Sequence, residues 1–217
     1  MAKDIIIERG AHEVIGGYLS PVSDMYKKPD LAPAVHRIQM CALAVDNSSD
    51  WLMVDPWEVY QMGYTRTAFV LEHFDLELNG GRSGGILTRD GGRKKIKVML
   101  LVGGDLVQSF CAPGVWPLQS LRIVLRDFGC VVIERTGSDA RELLLSHTIL
   151  HEHRDNIIIV KQLIYNDISS SKVRLFIKRG LSIKFLLPGA VIGYMDKHML
   201  YRSESPGSSG QCSREYV

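Results

Sequence analysis

"IKVMLLVGGDLVQSF", residues 96–110, decides the fold. Its first half is the most apolar run of the chain. Such a run is too short to span a bilayer and suits a strand at the centre of a parallel sheet, buried on both faces. Gly103 and Gly104 end the run, with Asp105 beside them. Upstream, "HEVIGGYLSP" (12–21) and "WLMVDP" (51–56) read as strands, and "APAVHRIQMCALAVDNSSD" (32–50) and "YTRTAFVLEHFDLEL" (64–78) as helices. Pro33 falls near the first turn of the former helix, where its missing N–H costs nothing. Downstream, "LQSLRIVLRDFG" (118–129), "DARELLLSHTIL" (139–150), "NDISSSKVRLFIKRG" (166–180) and "GAVIGYMDKHML" (189–200) read as helices. "CVVIERTG" (130–137) and "NIIIVKQ" (156–162) read as strands between them. Strand and helix in turn imply an α/β fold with a doubly wound parallel sheet.

The 217 residues suit one domain with a substantial core. The glycine-rich stretch "NGGRSGGILTRDGGRKK" (79–95) holds six glycines and clustered cations and is expected to be a mobile loop. It interrupts the domain without dividing it, because the alternation resumes after it. A net charge of +2 is too small to make nucleic acid or a membrane the main partner, so any anion must be held by locally placed cations. Cys41, Cys111, Cys130 and Cys212 form no CxxC pair, which points to reduced thiols inside the cell, in cytoplasm or nucleus. "HEHRD" offers His151 and His153, but no second ligand pair has useful spacing, so a polar helix end is the expectation. The tail from 202 to 217 has a disordered composition.

In parallel α/β sheets ligands gather at the carboxyl ends of strands. "SPVSDMYKK", "VDPWE", "VGGDL" and "NDISSS" all fall there. In "NDISSSKVR" hydroxyls and cations crowd the start of a helix, and two readings are open. One is a well-capped surface helix. The other is an anion site, in which free amides and the helix dipole act with Ser171, Lys172 and Arg174. Gly103 and Asp105 would let a ligand approach and bind ribose hydroxyls, or form an ordinary tight turn with Asp105 as a helix N-cap. Trp116 in "APGVWP" could stack on a heterocycle or serve as a lid on the core. Tyr64 and Thr67, one helical turn apart, could face one pocket. Neither GxGxxG nor GxxxxGK[ST] is present, which weighs against dinucleotide-dependent redox chemistry and against a P-loop.

Taken in order, "GGYLSPVSDMYKK", "HRIQMCALA", "DWLMVDPWE", "LVGGDLVQSF", "PGVW" and "NDISSSKVR" resemble the eukaryotic nicotinamide/nicotinate mononucleotide adenylyltransferases, most of all the plant-type members. The resemblance covers residues 1–201 apart from the glycine-rich loop and implies a Rossmann-like nucleotidyltransferase domain. It implies transfer of AMP from ATP to nicotinamide or nicotinate mononucleotide, with Mg²⁺ or another divalent cation carried mainly by ATP. On the matching positions, Lys28, Ser171, Lys172, Val173 and Arg174 would contact ATP phosphates, Lys172 and Arg174 catalytically. Gly103, Asp105 and Asn166 would line the nucleotide cleft, and Tyr64, Thr67, Val115 and Trp116 would surround the pyridine ring. Tyr64 stands where some members have tryptophan. The partners implied are small molecules, with no nucleic acid and no membrane; a homo-oligomer is compatible with this.

Family members begin with a strand and a GSFNPxTxxH-type loop, whereas this sequence opens at "MAKDIIIERG", matching the end of the helix that follows that loop. The expectation is therefore a sheet lacking its first strand, and a short chain that turns over poorly or acts as a nucleotide-binding or interaction protein.

Overall fold

The computed structural model describes residues 1–46, 48–81, 84–134 and 140–202. Two compact units are distinguished within the span read as one domain: Met1–Tyr26 with Trp51–Asp167, and Lys27–Asp50 with the residues from Ile168 onward.

Among the described residues the first unit carries every strand. It opens with α1 (Ala2–Glu8), followed by β1 (Gly17–Leu19) and, after the second unit's first segment, β2 (Leu52–Val54). β1 and β2 pair in parallel, Tyr18 opposite Met53. Next comes α3 (Thr67–Asn79), then a hairpin of β3 (Ile86–Leu87) and β4 (Arg93–Lys94). β5 (Leu100–Gly103) runs into α4 (Gly104–Cys111), then α5 (Leu118–Ile123) and β6 (Cys130–Glu134). α6 (Ala140–Ser146), α7 (Thr148–Glu152) and β7 (Ile157–Lys161) complete the unit. β5, β6 and β7 form a parallel sheet in that order, with Val102 opposite Val132 and Val132 opposite Ile159. The parallel α/β architecture is Rossmann-like. Its parallel strands fall in two sheets, because no described strand pairs with the second edge of β1 or of β5.

The core lies on one face of the three-stranded sheet. Strand side chains alternate, so Cys130 and Val132 point to the same side. There they meet Ala68 and Leu71 of α3, Val107 and Phe110 of α4, Leu121 of α5, and Ile149 and Leu150 of α7. Each fully buried aliphatic chain contributes about 1.5–3 kcal/mol of transfer free energy. α5 does not run regularly to Gly129. After Ile123 it widens into a π-helical turn, Val124–Phe128, which sends Val124, Leu125 and Phe128 into the core. The helix read over 139–150 is likewise two helices, broken at His147, whose backbone is extended (φ −109°, ψ 116°).

Two further expectations need correction. The helix after β5 starts at Gly104 with Gly103 as its N-cap, so Asp105 lies in the first turn and is not the cap. Within 79–95 a hairpin forms, tied to α3. Asn79 donates from Nδ2 to Ile96 O (2.8 Å) and accepts from Ile96 N (2.7 Å), and Gly85 N donates to Leu78 O at 3.0 Å. Gly85 is required there, since φ is +86° and a Cβ would strike the backbone of Lys94.

Among the described residues the second unit holds three helices: α2 (Ala34–Asp46), α8 (Ser170–Lys178) and α9 (Gly189–Lys197). Val173, Ile183, Val191 and Met195 form its core, with Met40 and Leu43 of α2 packed against it. His36 Nδ1 and the Tyr194 hydroxyl, 2.9 Å apart, tie α2 to α9. Arg37 is buried, and its Nε donates to Ala32 O at 2.8 Å.

Candidate active site

The serine run builds the start of α8. Ser169, extended at φ −133°, is the N-cap, and its hydroxyl accepts from Lys172 N at 3.2 Å. Val173 N donates to Ser169 O at 2.9 Å, the first regular helical bond. Among the described residues the amides of Ser170 and Ser171 have no acceptor, and they lie at the positive end of the helix dipole. Arg174 Nη2 donates to Ser171 Oγ at 3.4 Å, a long contact. Ser171 and Lys172 are exposed. At this helix end Ser169 caps, while the amides of Ser170 and Ser171 and the side chains of Ser171, Lys172 and Arg174 take no part in the cap.

Val173 departs from the expected role. Its side chain is buried in the second unit's core and its amide is spent on the helix, so it anchors α8. Lys28, in the same unit, is exposed on a turn closed by Leu31 N donating to Lys28 O at 3.3 Å. Lys178 Nζ lies 2.7 Å from Asp30 Oδ1. The hydrogen bond and charge of Lys178, with a smaller contribution from Arg174, hold the Asp30 carboxyl below its usual value.

The remaining predicted residues belong to the first unit. Gly103 ends β5 in an extended conformation (φ −89°), and a Cβ built on it would meet no atom within 4 Å. Neither backbone nor packing demands glycine there. Asp105 is exposed on the first turn of α4. Trp116 packs on the core: its ring meets Phe110 edge-on at 4.8 Å and its Nε1 donates to Ser109 Oγ at 3.0 Å. Val115 beside it is exposed, after Gly114 with φ +74°. Asn166 is exposed beyond β7, its N donating to Gln162 Oε1 at 3.3 Å.

Tyr64 and Thr67 do not share a helical turn. α3 starts at Thr67, because Arg66 is extended (ψ 145°) as the N-cap, so Tyr64 lies in the approach to the helix. Its ring stacks on Tyr26, centroids 5.5 Å apart, and stays 56% exposed. Partial burial, then Tyr26 and Glu58, push its phenol up.

Sequence reasoning missed the groups behind Tyr64. At the carboxyl ends of β1 and β2, Ser20 Oγ donates to Glu58 Oε2 at 2.9 Å, and Glu58 is 8% exposed. Asp55 Oδ1 accepts from Trp57 N at 2.7 Å, and the Trp57 ring lies flat on His73 at 4.0 Å. The signal was present in the spacing of "SP" and "VDPWE", one following each strand. Among the described residues no group of three or more His, Cys, Asp or Glu could hold a metal ion.

Parallel strands followed by helices define the class as a Rossmann-like α/β protein. The cytidylyltransferase-like family model matches residues 4–176, and the chain belongs to that family. Within it the chain belongs to the nicotinamide/nicotinic acid mononucleotide adenylyltransferases. It is 57% identical to nicotinamide/nicotinic acid mononucleotide adenylyltransferase 2 of Saccharomyces cerevisiae, over 94% of this chain and 52% of the relative. It is 54% identical to the Schizosaccharomyces pombe protein, over 95% and 56%. For the rice protein the identity is 47%, over 96% of this chain and 80% of the relative. The two fungal identities exceed the rice one, whereas the motifs had pointed to plant-type members. The chain spans about half the length of the fungal relatives it matches.

Proposed function

We propose that the protein transfers the adenylyl group of ATP to nicotinamide or nicotinate mononucleotide, forming NAD or deamido-NAD and releasing pyrophosphate. The observation that carries this reading is the start of α8, where two amides without an acceptor sit among Ser171, Lys172 and Arg174. The activity for which its relatives are named supports it.

The attacking group is a phosphate monoester, already anionic at neutral pH. An oxygen of that phosphate attacks the α-phosphorus in line, the α–β bridging bond breaks, and the electron pair leaves on pyrophosphate. No strong general base is needed, so positioning and charge neutralisation do most of the work. The α8 amides, with Ser171, Lys172 and Arg174, hold the β- and γ-phosphates and take up the charge that develops on the leaving group. Lys28 adds a further cation. Gly103, Asp105 and Asn166 receive the nucleotide, and Tyr64, Thr67, Val115 and Trp116 the pyridine ring. ATP enters as its magnesium complex, the ion held by phosphates and water.

No helix among the described residues is long and apolar enough to cross a membrane. The described cysteines Cys41, Cys111 and Cys130 are free thiols, which supports an intracellular location, in cytoplasm or nucleus.

An alcohol dehydrogenase-coupled assay with ATP, Mg²⁺ and nicotinamide mononucleotide tests the reading. NAD formation that falls at least tenfold in Lys172→Ala/Arg174→Ala supports it. Undiminished turnover in that variant, or no ATP binding by the unsubstituted protein, overturns it.

A further inference from the structure

Tyr201 is an aromatic residue held at φ +62°. Outside glycine and a few small polar residues that region is costly, and a bulky side chain there is a true outlier that its surroundings must enforce. Those surroundings are identifiable. The ring packs against the second unit's core beside Val173 and Met195. Above it lies the Arg174 guanidinium, 5.9 Å from the ring centroid. The phenol engages the Ala32 backbone, whose carbonyl also accepts from the buried Arg37. Burial pushes the phenol up, opposed by Arg174, by Ala32 and by Arg37.

From this strained ring and the cation above it we infer that Tyr201 is the positioning residue for Arg174, fixing its guanidinium against Ser171 at the start of α8. The inference rests on the phosphate-site reading above. Arg174 has a long side chain, and its bond to Ser171 Oγ, at 3.4 Å, is too weak to hold it alone. The aromatic face supplies a second constraint across the guanidinium plane, leaving its other edge free for a phosphate oxygen. Tyr201 touches no substrate in this scheme, and it acts by reducing the freedom that Arg174 loses on binding ATP.

The test is a double-mutant cycle read by ATP binding (isothermal titration) and by separate KM values for ATP and mononucleotide. Tyr201→Phe keeps the ring and retains ATP affinity. Tyr201→Leu keeps apolar packing but removes the π face. It weakens ATP about three- to tenfold, within the range of a cation–π contact, and leaves the mononucleotide KM unchanged. In an Arg174→Ala background Tyr201→Leu has no further effect on ATP. If Tyr201→Leu leaves ATP binding intact, or weakens it equally when Arg174 is alanine, the positioning role is wrong while the phosphate site stands. If the unsubstituted protein binds no ATP, the phosphate-site reading fails first and takes this inference with it.

Discussion

Asn156 and Gly129 lock the back of the main sheet. The Asn156 side chain donates from Nδ2 to Leu125 O at 2.8 Å and to Arg126 O at 3.1 Å, capping carbonyls that the π-helical turn leaves exposed. Gly129 sits directly beneath it at φ +82°, where a Cβ would come within 2.7 Å of Asn156 Cγ. Its own carbonyl accepts from Leu100 N at 3.0 Å, starting the β5–β6 pairing. Gly129→Ala therefore meets both a left-handed backbone and a collision with the cap. The expected loss is about 2–4 kcal/mol, visible as a lower urea midpoint. A midpoint within 0.5 M of wild type, at typical urea slopes of roughly 1–3 kcal/mol per M, would contradict this lock.

Adjacent positions of α8 separate stability from chemistry. Val173 is buried and Lys172 exposed. Val173→Ala should cost about 1–3 kcal/mol of folding free energy while leaving the ATP KM of the folded fraction unchanged. Lys172→Ala should shift the thermal midpoint little and impair ATP use strongly. Steady-state kinetics beside a melting curve checks both, and the opposite pattern would remove the phosphate site from this helix.

The alternation of apolar runs and amphipathic stretches was enough to place β5, β6, β7, α2, α3, α8 and α9, because each is marked locally by an apolar run or by helical spacing with its end signals. The start of the helix after Gly103 was not legible. "GGDLVQSF" begins with two poor helix formers, and the burial of Val107 and Phe110 that secures it is a tertiary effect. The same holds for the π-helical turn and for the break at His147. At the candidate site, chemistry carried by residue type could be read: serines before cations, and glycine after a strand. Support carried by three-dimensional neighbours could not, so Tyr201 had no signal until the fold placed it.

Ser169 and Ser171 differ in role although only one residue separates them. Ser169 accepts from Lys172 N, so Ser169→Ala should cost about 1 kcal/mol of stability through the lost cap. Ser171 makes no such bond to the backbone, and Ser171→Ala should leave the thermal midpoint within a degree or two while raising the ATP KM. Equal melting shifts for both variants would mean that the cap has been assigned to the wrong serine.

Gly103 offers a test of the open strand end. With φ −89° and no atom within 4 Å of the place an added methyl would take, Gly103→Ala is compatible with the fold and should be neutral or slightly stabilising. If nucleotide approaches this backbone, the same methyl obstructs it. The expected result is an unchanged melting curve with a raised KM for a nucleotide substrate. Unchanged kinetics would place the ligand elsewhere.

Cys130 gives the pH dependence its clearest sign. It lies in the core beside Val132 and Leu125, and burial pushes its thiol from the ordinary 9.0 up to about 12. Above pH 9 the unfolded chain releases this proton while the folded one keeps it, so the unfolded state binds fewer protons. Stability therefore falls between about pH 9 and pH 12, and nothing is lost through this group below pH 9. Chemical denaturation from pH 8 to 10.5 should show that decline, and Cys130→Ala should flatten it after its constant packing loss is subtracted. In parallel, a thiol reagent at pH 8 should modify Cys41 and Cys111, which are half-buried, before Cys130, which should react only on unfolding. Prompt labelling of Cys130 in the native protein would mean that the α3–α7 face of the sheet opens readily, and the alkaline slope would then need another source.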